Sequence, residues 1–453
     1  MKHRIKEIKV LLEKMSCASL FFYLFVFCLP FFKRVEISSG YSYLDGRFID
    51  YLTYSIYGFE ILFVMALLFW AIEIIRYKKN ILLGDVRIFF AWGVMFLFSL
   101  FSLFFAESVL IGFYYIFILL ELILLYLFVI NKINRADEHF LLLNVFLFSM
   151  FLQSVIAIFQ FIKNGSLGFY LLGEQIISPE IDGVAKTLIN GARHIRPYGT
   201  FSHPNVLALF LLIAGLIALY LFFKFTEKRY KIYLILAITV LTIALLLTFS
   251  RIAWLAGLIF WGGFIFQEIR KSIPRLYSGQ GKQKINFKKI LSYSLIFLIP
   301  LLIILIYLAP SIWLRINPFL DVTWESLNIR GAVLLKSFVL IKTHLLGVGI
   351  GNFTIEAAYL LTGYPVWMVE PAHNVFVLVL AEIGTLGLAS FLAFLYFIVK
   401  SLKHVSLFLK YVFALFVFLM FFDHYFWDIR QAQILLFLFF GVMAINSLKK
   451  ELL

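Results

Sequence analysis

Charge is what this chain has least of. Of its 453 residues 14% are charged and 63% hydrophobic, where a soluble domain is about a quarter charged and about half apolar. An ordinary soluble globule is excluded. Cysteine is nearly absent: Cys17 and Cys28 both lie in the first apolar run, which rules out a disulfide framework. No metal-ligand cluster of Cys and His is evident, so neither a metal nor a cofactor is expected. There is no internal repeat, heptad pattern or low-complexity tract. Acidic residues are outnumbered, 25 against 40 Lys and Arg, for a net charge of +15. Such a surplus could suggest nucleic acid, but its placement argues for the membrane.

What is present in quantity is apolar runs of about 20 residues, the signature of a polytopic helical membrane protein. Five basic residues (Lys2, Arg4, Lys6, Lys9, Lys14) precede the first run, Cys17 to Phe32. It lacks a small-residue cleavage site and reads as an uncleaved span rather than a signal peptide. Further spans are predicted at 52–75, 87–105, 109–130, 139–162, 204–223, 232–249, 252–268, 291–309, 374–399, 408–424 and 431–447, twelve in all. With the N-terminus cytoplasmic, 27 of the 40 Lys and Arg fall on the inner side and 13 on the outer. The densest cluster, Arg270 to Lys289, is inside. Positive charge in short loops stays cytoplasmic, so +15 is mostly a topology signal and both termini are expected inside. The fold class is all-α: one integral-membrane domain over 1–453, with outer segments 163–203 and 310–373 expected to form the active site.

The most informative stretch runs from Arg330 to Gly387. Apolar residues at Trp324, Leu327, Val333, Leu334, Phe338 and Ile341 predict a partly amphipathic helix at the outer surface. It is followed by GVGIGNF, where glycines at 347, 349 and 351 permit positive φ and a shaped turn. The chain then enters an apolar helix directly from His373 and Asn374. An unperturbed histidine titrates near about 6.5, so His373 is either a proton-transfer group or half of a helix-capping pair with Asn374. Asp423-His424 is a second-shell pair or a wet turn, the turn being favoured. Glu121 and Glu382 sit inside apolar runs, where carboxylates mark function or are neutral and hydrogen-bonded within the bundle.

Three arginines stand out on the outer side. Arg251, in TFSRIAW, lies at a tight turn between two spans. At membrane-centre depth an arginine costs about 2.5–3.5 kcal/mol on insertion scales, so Arg251 either binds something or snorkels at the boundary. Arg193 and Arg196 precede PYGTFSHPN, where Pro204 suits the first turn of a helix capped by Ser202 or His203. A helix N-terminus with arginine upstream is an anion site or a capped entrance with solvated arginines.

Four pieces in order, RPYGTFSHPNVLALFLL, SRIAWLAGL, LLGVGIGNF and PAHNVFVLVLAEIGTLGL, resemble the O-antigen ligase and polymerase superfamily of bacterial envelope glycan assembly. The resemblance covers about residues 190–445. It implies an inverting, metal-independent glycosyltransferase that moves a glycan from undecaprenyl diphosphate to a glycan, lipid or protein acceptor at the outer face of the cytoplasmic membrane. Arg196 and Arg251 match the arginines that hold the donor diphosphate, and His373 the histidine of the large outer loop. Either Arg193 or Arg196 takes the family position. Substrate-binding candidates beside these catalytic three are Arg193, Asn205, Arg330, Asn374, Gly349 and Gly351. Membrane lipids are expected partners and nucleic acid is not.

The chemistry is consistent with that implication. Fixed guanidiniums beside a departing diphosphate stabilise the charge that develops there, and a histidine can take the acceptor's proton. A repeat-unit polymerase uses the same donor with a second lipid-linked glycan, and a protein oligosaccharyltransferase a protein acceptor. A lipid-glycan transporter would place its charges along a midplane path or in broken, paired helices, whereas here the informative groups crowd the outer face.

Overall fold

The computed structural model describes residues 15–44, 46–277, 302, 305–317, 324–361 and 369–449. Most of the expected span over 291–309 and most of the Arg270–Lys289 cluster lie outside these residues. Among the described residues, eight helices are long and apolar enough to cross a membrane. They are Gly58–Tyr77, Val86–Phe105, Val109–Lys132, Ala136–Lys163, Pro204–Lys224, Lys228–Leu247, Arg251–Lys271 and Val375–Ser401. Of four shorter apolar helices, Cys17–Cys28, Leu407–Met420 and Arg430–Ile445 fall on further predicted spans, while Leu305–Ile316 overlaps the one over 291–309 only at 305–309 and continues into the expected outer segment.

The second span starts later than predicted. Leu52 closes a short 3-10 helix, Asp50–Leu52, Tyr54–Tyr57 is a strand paired antiparallel with Arg34–Ile37, and the long helix begins at Gly58. The alternating YSIY pattern favours extended chain, and pairing with RVEI satisfies its backbone groups. Two smaller hairpins, Tyr43–Leu44 with Arg47–Phe48 and Lys186–Ile189 with Ala192–Ile195, add to an otherwise helical chain.

The chain divides into two compact units. The first takes residues 26–33 and 141–323. At its centre Pro204–Lys224 is apolar on every side and buried over most of its length, as expected of a helix enclosed by others. Lys228–Leu247 packs along it, and the chain returns through Arg251–Ala256, a π-helical stretch Gly257–Trp261 and Gly262–Tyr277. In lipid, association rests on close packing more than on apolar burial. Gly215 shows this: a Cβ there would lie 2.0 Å from the Trp261 ring, and the Trp261 Nε1–H donates to the Leu212 carbonyl at 2.9 Å.

The second unit takes residues 11–25, 34–140 and 324–453. Val375–Ser401 packs on Val86–Ser102, and Arg430–Lys449 on Val109–Lys132. Phe22, Phe25, Phe63 and Phe128 stack between its helices. Buried Arg430 is paired with both Glu60 and Glu121, so the intramembrane carboxylate at 121 has a partner inside the bundle. A helix, Trp324–Thr343, stands where the surface helix was expected, but of the expected apolar face Val333 is buried whereas Leu334 and Phe338 are exposed; Leu340 is buried and Leu335 exposed beside them. The side chains of Trp324 and Leu327 lie outside the described set.

Candidate functional site

In the second unit the glycine turn and the helix after His373 form one construction. Gly347, Gly349 and Gly351 have φ of +87°, +95° and +73°. Val375–Ser401 kinks at Gly384, φ +74°. A kink frees carbonyls from the helical ladder, and here the glycine turn meets them: Val348 N–H donates to Ala381 O and Gly349 N–H to Glu382 O, both at 2.9 Å. In return Thr385 N–H donates to Leu345 O at 3.1 Å. The buried Glu382 carboxylate accepts from Trp427 Nε1–H at 2.7 Å and Phe353 N–H at 3.3 Å. Gly349 and Gly351 are themselves buried, against Ala106 and Tyr115. Glu382 is thus an internal tie, and the glycines shape the scaffold that carries His373.

Asn374 caps that helix, its Oδ1 accepting from Val377 N–H at 3.1 Å. Its Nδ2 donates to Phe421 O at 3.1 Å, which brings the 421–428 turn against His373. There His373 Nδ1 donates to Asp423 Oδ1 at 3.0 Å, and its Nε2 lies 3.0 Å from Glu370 Oε2. Asp423 Oδ1 also accepts from the His424 backbone N–H at 2.9 Å. Arg330 approaches the other carboxylate oxygen at 3.9 Å. The two imidazole rings are 4.9 Å apart, and His424 Nδ1 is 2.6 Å from Asp428 Oδ1.

This corrects the expectation of a wet turn. Asp423 and His424 are buried, while His373 keeps 12% of its side chain exposed and Glu370 41%. Burial alone would raise Asp423, but the charges of His373, His424 and Arg330 outweigh it and hold the carboxyl well below the usual range. Burial alone would lower His424; Asp428 and then Asp423 outweigh it and push the imidazole up to about 9. Burial raises Asp428 against the pull of His424. Asp423 thus sets a carboxylate against Nδ1 of His373, an arrangement that favours the Nδ1–H tautomer, while Nε2 lies against Glu370.

Candidate ligand atoms of His373, Asp423 and His424 also lie within 4.8 Å of one another, a set no local spacing could show because it joins residues 50 apart. Its donor types suit a borderline cation such as zinc. Against that fit, Asp423 already accepts two N–H groups and faces a guanidinium, and Asp428 occupies His424 Nδ1. The hydrogen-bonded network accounts for the geometry more completely than a metal would.

The first unit holds an arginine cluster. Lys228–Leu247 ends in a turn in which Phe249 has φ +49°, unusual for a bulky residue. Phe249 is anchored by packing with Phe161, Leu247 and Leu308. Arg196 is buried and donates from Nε to Thr248 O and from Nη2 to Asn205 Oδ1, both at 2.6 Å. Arg315 donates from Nε to Phe249 O at 3.2 Å. Arg251, first residue of the next helix, reaches the Arg315 carbonyl at 3.5 Å. Three guanidiniums thus gather at one four-residue turn, a concentration of positive charge suited to an anion.

The loop carrying Arg196 is pinned from below. Gln160 Oε1 accepts from the Tyr198 and Gly199 N–H groups at 3.0 and 2.8 Å, and Gln153 exchanges hydrogen bonds with Thr200. His203 caps Pro204–Lys224, with Pro204 in its first turn. Arg193 instead projects from the hairpin strand Ala192–Ile195 and is exposed. Of the sequence candidates, the fold brings Arg196, Asn205 and Arg251 together in the first unit, and Arg330, His373 and Asn374 together in the second. Arg315, Glu370 and Asp428 were missed. Asp428 left a signal, standing four residues after His424 on DHYFWD; Arg315 left none beyond being a cation in the expected outer segment 310–373.

Residues 236–392 match the family model for O-antigen ligase. No curated protein matches the chain. The matched segment contains Arg251, Arg315, Arg330, Glu370 and His373, and over that part the chain is similar to the O-antigen ligase family.

Proposed function

We propose that this multi-pass membrane protein, of the O-antigen ligase superfamily, is a glycosyltransferase that moves a glycan from undecaprenyl diphosphate to an acceptor hydroxyl at the outer face of the cytoplasmic membrane. The observation that carries the reading is His373, which keeps 12% of its side chain exposed and is backed on Nδ1 by the buried Asp423 carboxylate. In this geometry His373 Nε2 is paired with half-exposed Glu370 at 3.0 Å; with Glu370 displaced by the acceptor and the ring proton held on Nδ1 by Asp423, Nε2 would offer its lone pair to the acceptor hydroxyl.

In the proposed step the acceptor oxygen attacks the anomeric carbon as its proton passes to His373 Nε2. The bond from that carbon to the diphosphate oxygen breaks, and the electron pair leaves on the lipid diphosphate. Attack opposite the leaving group inverts the anomeric centre. The guanidiniums of Arg196, Arg251 and Arg315, gathered within the first unit, are the groups suited to a diphosphate: already fixed by carbonyl and amide partners, they need little reorganisation as charge develops. Asp423 stabilises the imidazolium that forms. No step requires a metal ion.

Purified protein offered a radiolabelled lipid-diphosphate glycan should transfer it to one of three acceptors: a lipid-core glycan, a second lipid-linked glycan or a protein hydroxyl. Transport of lipid-linked glycan across liposomes without transfer to any of them would refute the proposal.

A further inference from the structure

The segment after Ala136–Lys163 is apolar where an outer loop should be polar. It reads NGSLGFYLLGEQI from Asn164 to Ile176. Leu171 is 87% exposed and Ile176 71%, with Phe169, Tyr170 and Leu172 exposed beside them. The tip is a single 3-10 turn, Tyr170–Leu172, and it is firmly held. Buried Glu174 folds back beneath it and accepts from the N–H groups of Leu167, Gly168 and Phe169 at 2.6, 2.7 and 2.6 Å. Side chains displayed so openly on a fixed backbone call for an occupant.

Three observations fix the level of this tip. The helix closes with Asn164 at φ +57° and Gly165 N–H donating to Gln160 O, a left-handed cap that reverses the chain. Glu174 Oε1 then accepts from Gln160 Nε2 at 2.9 Å, so the loop lies beside the last turns of the span. Gly173 packs directly on the Phe32–Lys33 backbone, where a Cβ would come within 2.2 Å, just past the end of the first apolar helix. At that level the span still exposes Phe159 and Ile162, and the tip continues this lipid-facing surface. Lys33, just past the first apolar helix, and Lys163, the last residue of the span, are exposed, as cations that meet lipid phosphates are, and Phe169 and Tyr170 are of the type that gathers at the interface.

We infer that Phe169–Leu172 and Ile176 form a fixed anchor inserted into the interface of the outer lipid leaflet. Its consequence comes through Gln160, which bonds Glu174 with the same Nε2 that donates to Gly199 O at 2.7 Å. One buried amide therefore ties the anchor to the loop bearing Arg196. If the transferase reading holds, the anchor sets the depth of that arginine at the headgroup level, where a lipid diphosphate resides.

The test uses full-length protein with Cys17→Ser and Cys28→Ala in nanodiscs of phosphatidylethanolamine and phosphatidylglycerol. Nitroxides are attached singly at Leu171→Cys, Ile176→Cys and, as a solvated reference, Asp182→Cys. Collision rates with oxygen and with a water-soluble nickel chelate are compared. Leu171 and Ile176 should favour oxygen and Asp182 the nickel chelate. If both tip positions meet the nickel chelate as readily as Asp182, the loop is solvated and the inference fails. If they avoid both reagents and show dipolar broadening that vanishes on dilution with unlabelled protein, the face belongs to a second copy, and the inference also fails. Neither reading depends on turnover, so failure here is distinct from failure of the transferase proposal.

Discussion

Asp423→Asn isolates the charge behind His373 while keeping its shape. The asparagine Oδ1 can still accept from His373 Nδ1, now at 3.0 Å from a carboxylate oxygen, but the negative charge is gone. A hydrogen bond to a charged group is worth about 1.5–3 kcal/mol, and each 1.36 kcal/mol of barrier is tenfold. If that bond strengthens as the imidazolium forms, kcat should fall about 10- to 150-fold. The donor's KM should stay within about twofold, because Arg196, Arg251 and Arg315 are untouched. The assay is transfer of labelled glycan from a lipid diphosphate by purified protein, with thermal unfolding followed in parallel. Removing one partner of a buried charge network costs roughly 3–5 kcal/mol; here His424 keeps Asp428, so the folded state should survive. A folded Asp423→Asn protein with kcat within twofold of wild type would refute the reasoning. So would a loss confined to KM, which would make Asp423 a scaffold residue.

Other substitutions probe the remaining parts. Arg196→Lys should lower activity at least about tenfold with the protein still accumulating, because lysine cannot reproduce donation to both Thr248 O and Asn205 Oδ1; wild-type turnover would remove Arg196 from the site. Gly347→Ala should destabilise by more than about 3 kcal/mol, since its Cβ would fall 2.3 Å from Glu382 O at a positive φ; a thermal midpoint unchanged from wild type would contradict the packing of glycine turn on kinked helix. The His424–Asp428 pair gives a pH signature. His424 is raised from 6.5 to about 9, so the pair's contribution is complete below about pH 6.5, fades as pH rises and is lost above about 9. The gap in unfolding temperature between wild type and Asp428→Asn should therefore narrow from pH 6 to pH 9.5, and a gap that widens would reverse the assignment.

The long helices were legible because a run of about 20 apolar residues has few alternatives in a bilayer. The glycine turn was legible as well, since every second residue from 347 to 351 is the one type that tolerates positive φ without strain. What it packs against was not: Gly384 reads as an ordinary helix glycine until Ala381 and Glu382 are seen giving up their carbonyls. The hairpin Arg34–Tyr57 was hidden because YSIY abuts a span and merges with its apolar run. Of the site, His373, Arg196 and Arg251 stood out by type and position. Their supports did not, because Asp423 lies 50 residues from His373 and Arg315 64 from Arg251, and only the fold joins them.

The activity proposed for this chain is transfer of glycan from a lipid diphosphate by arginine and histidine chemistry. The direct measurement is transfer by purified protein in detergent with a strong chelator present, comparing wild type with His373→Ala. Wild type should turn over undiminished by the chelator. His373→Ala should fall about 10²- to 10⁴-fold, the usual worth of a general base, and added zinc or manganese should not restore it. Transfer abolished by chelator and restored by metal would instead assign His373, Asp423 and His424 to an ion, and turnover undiminished in His373→Ala would contradict the account outright.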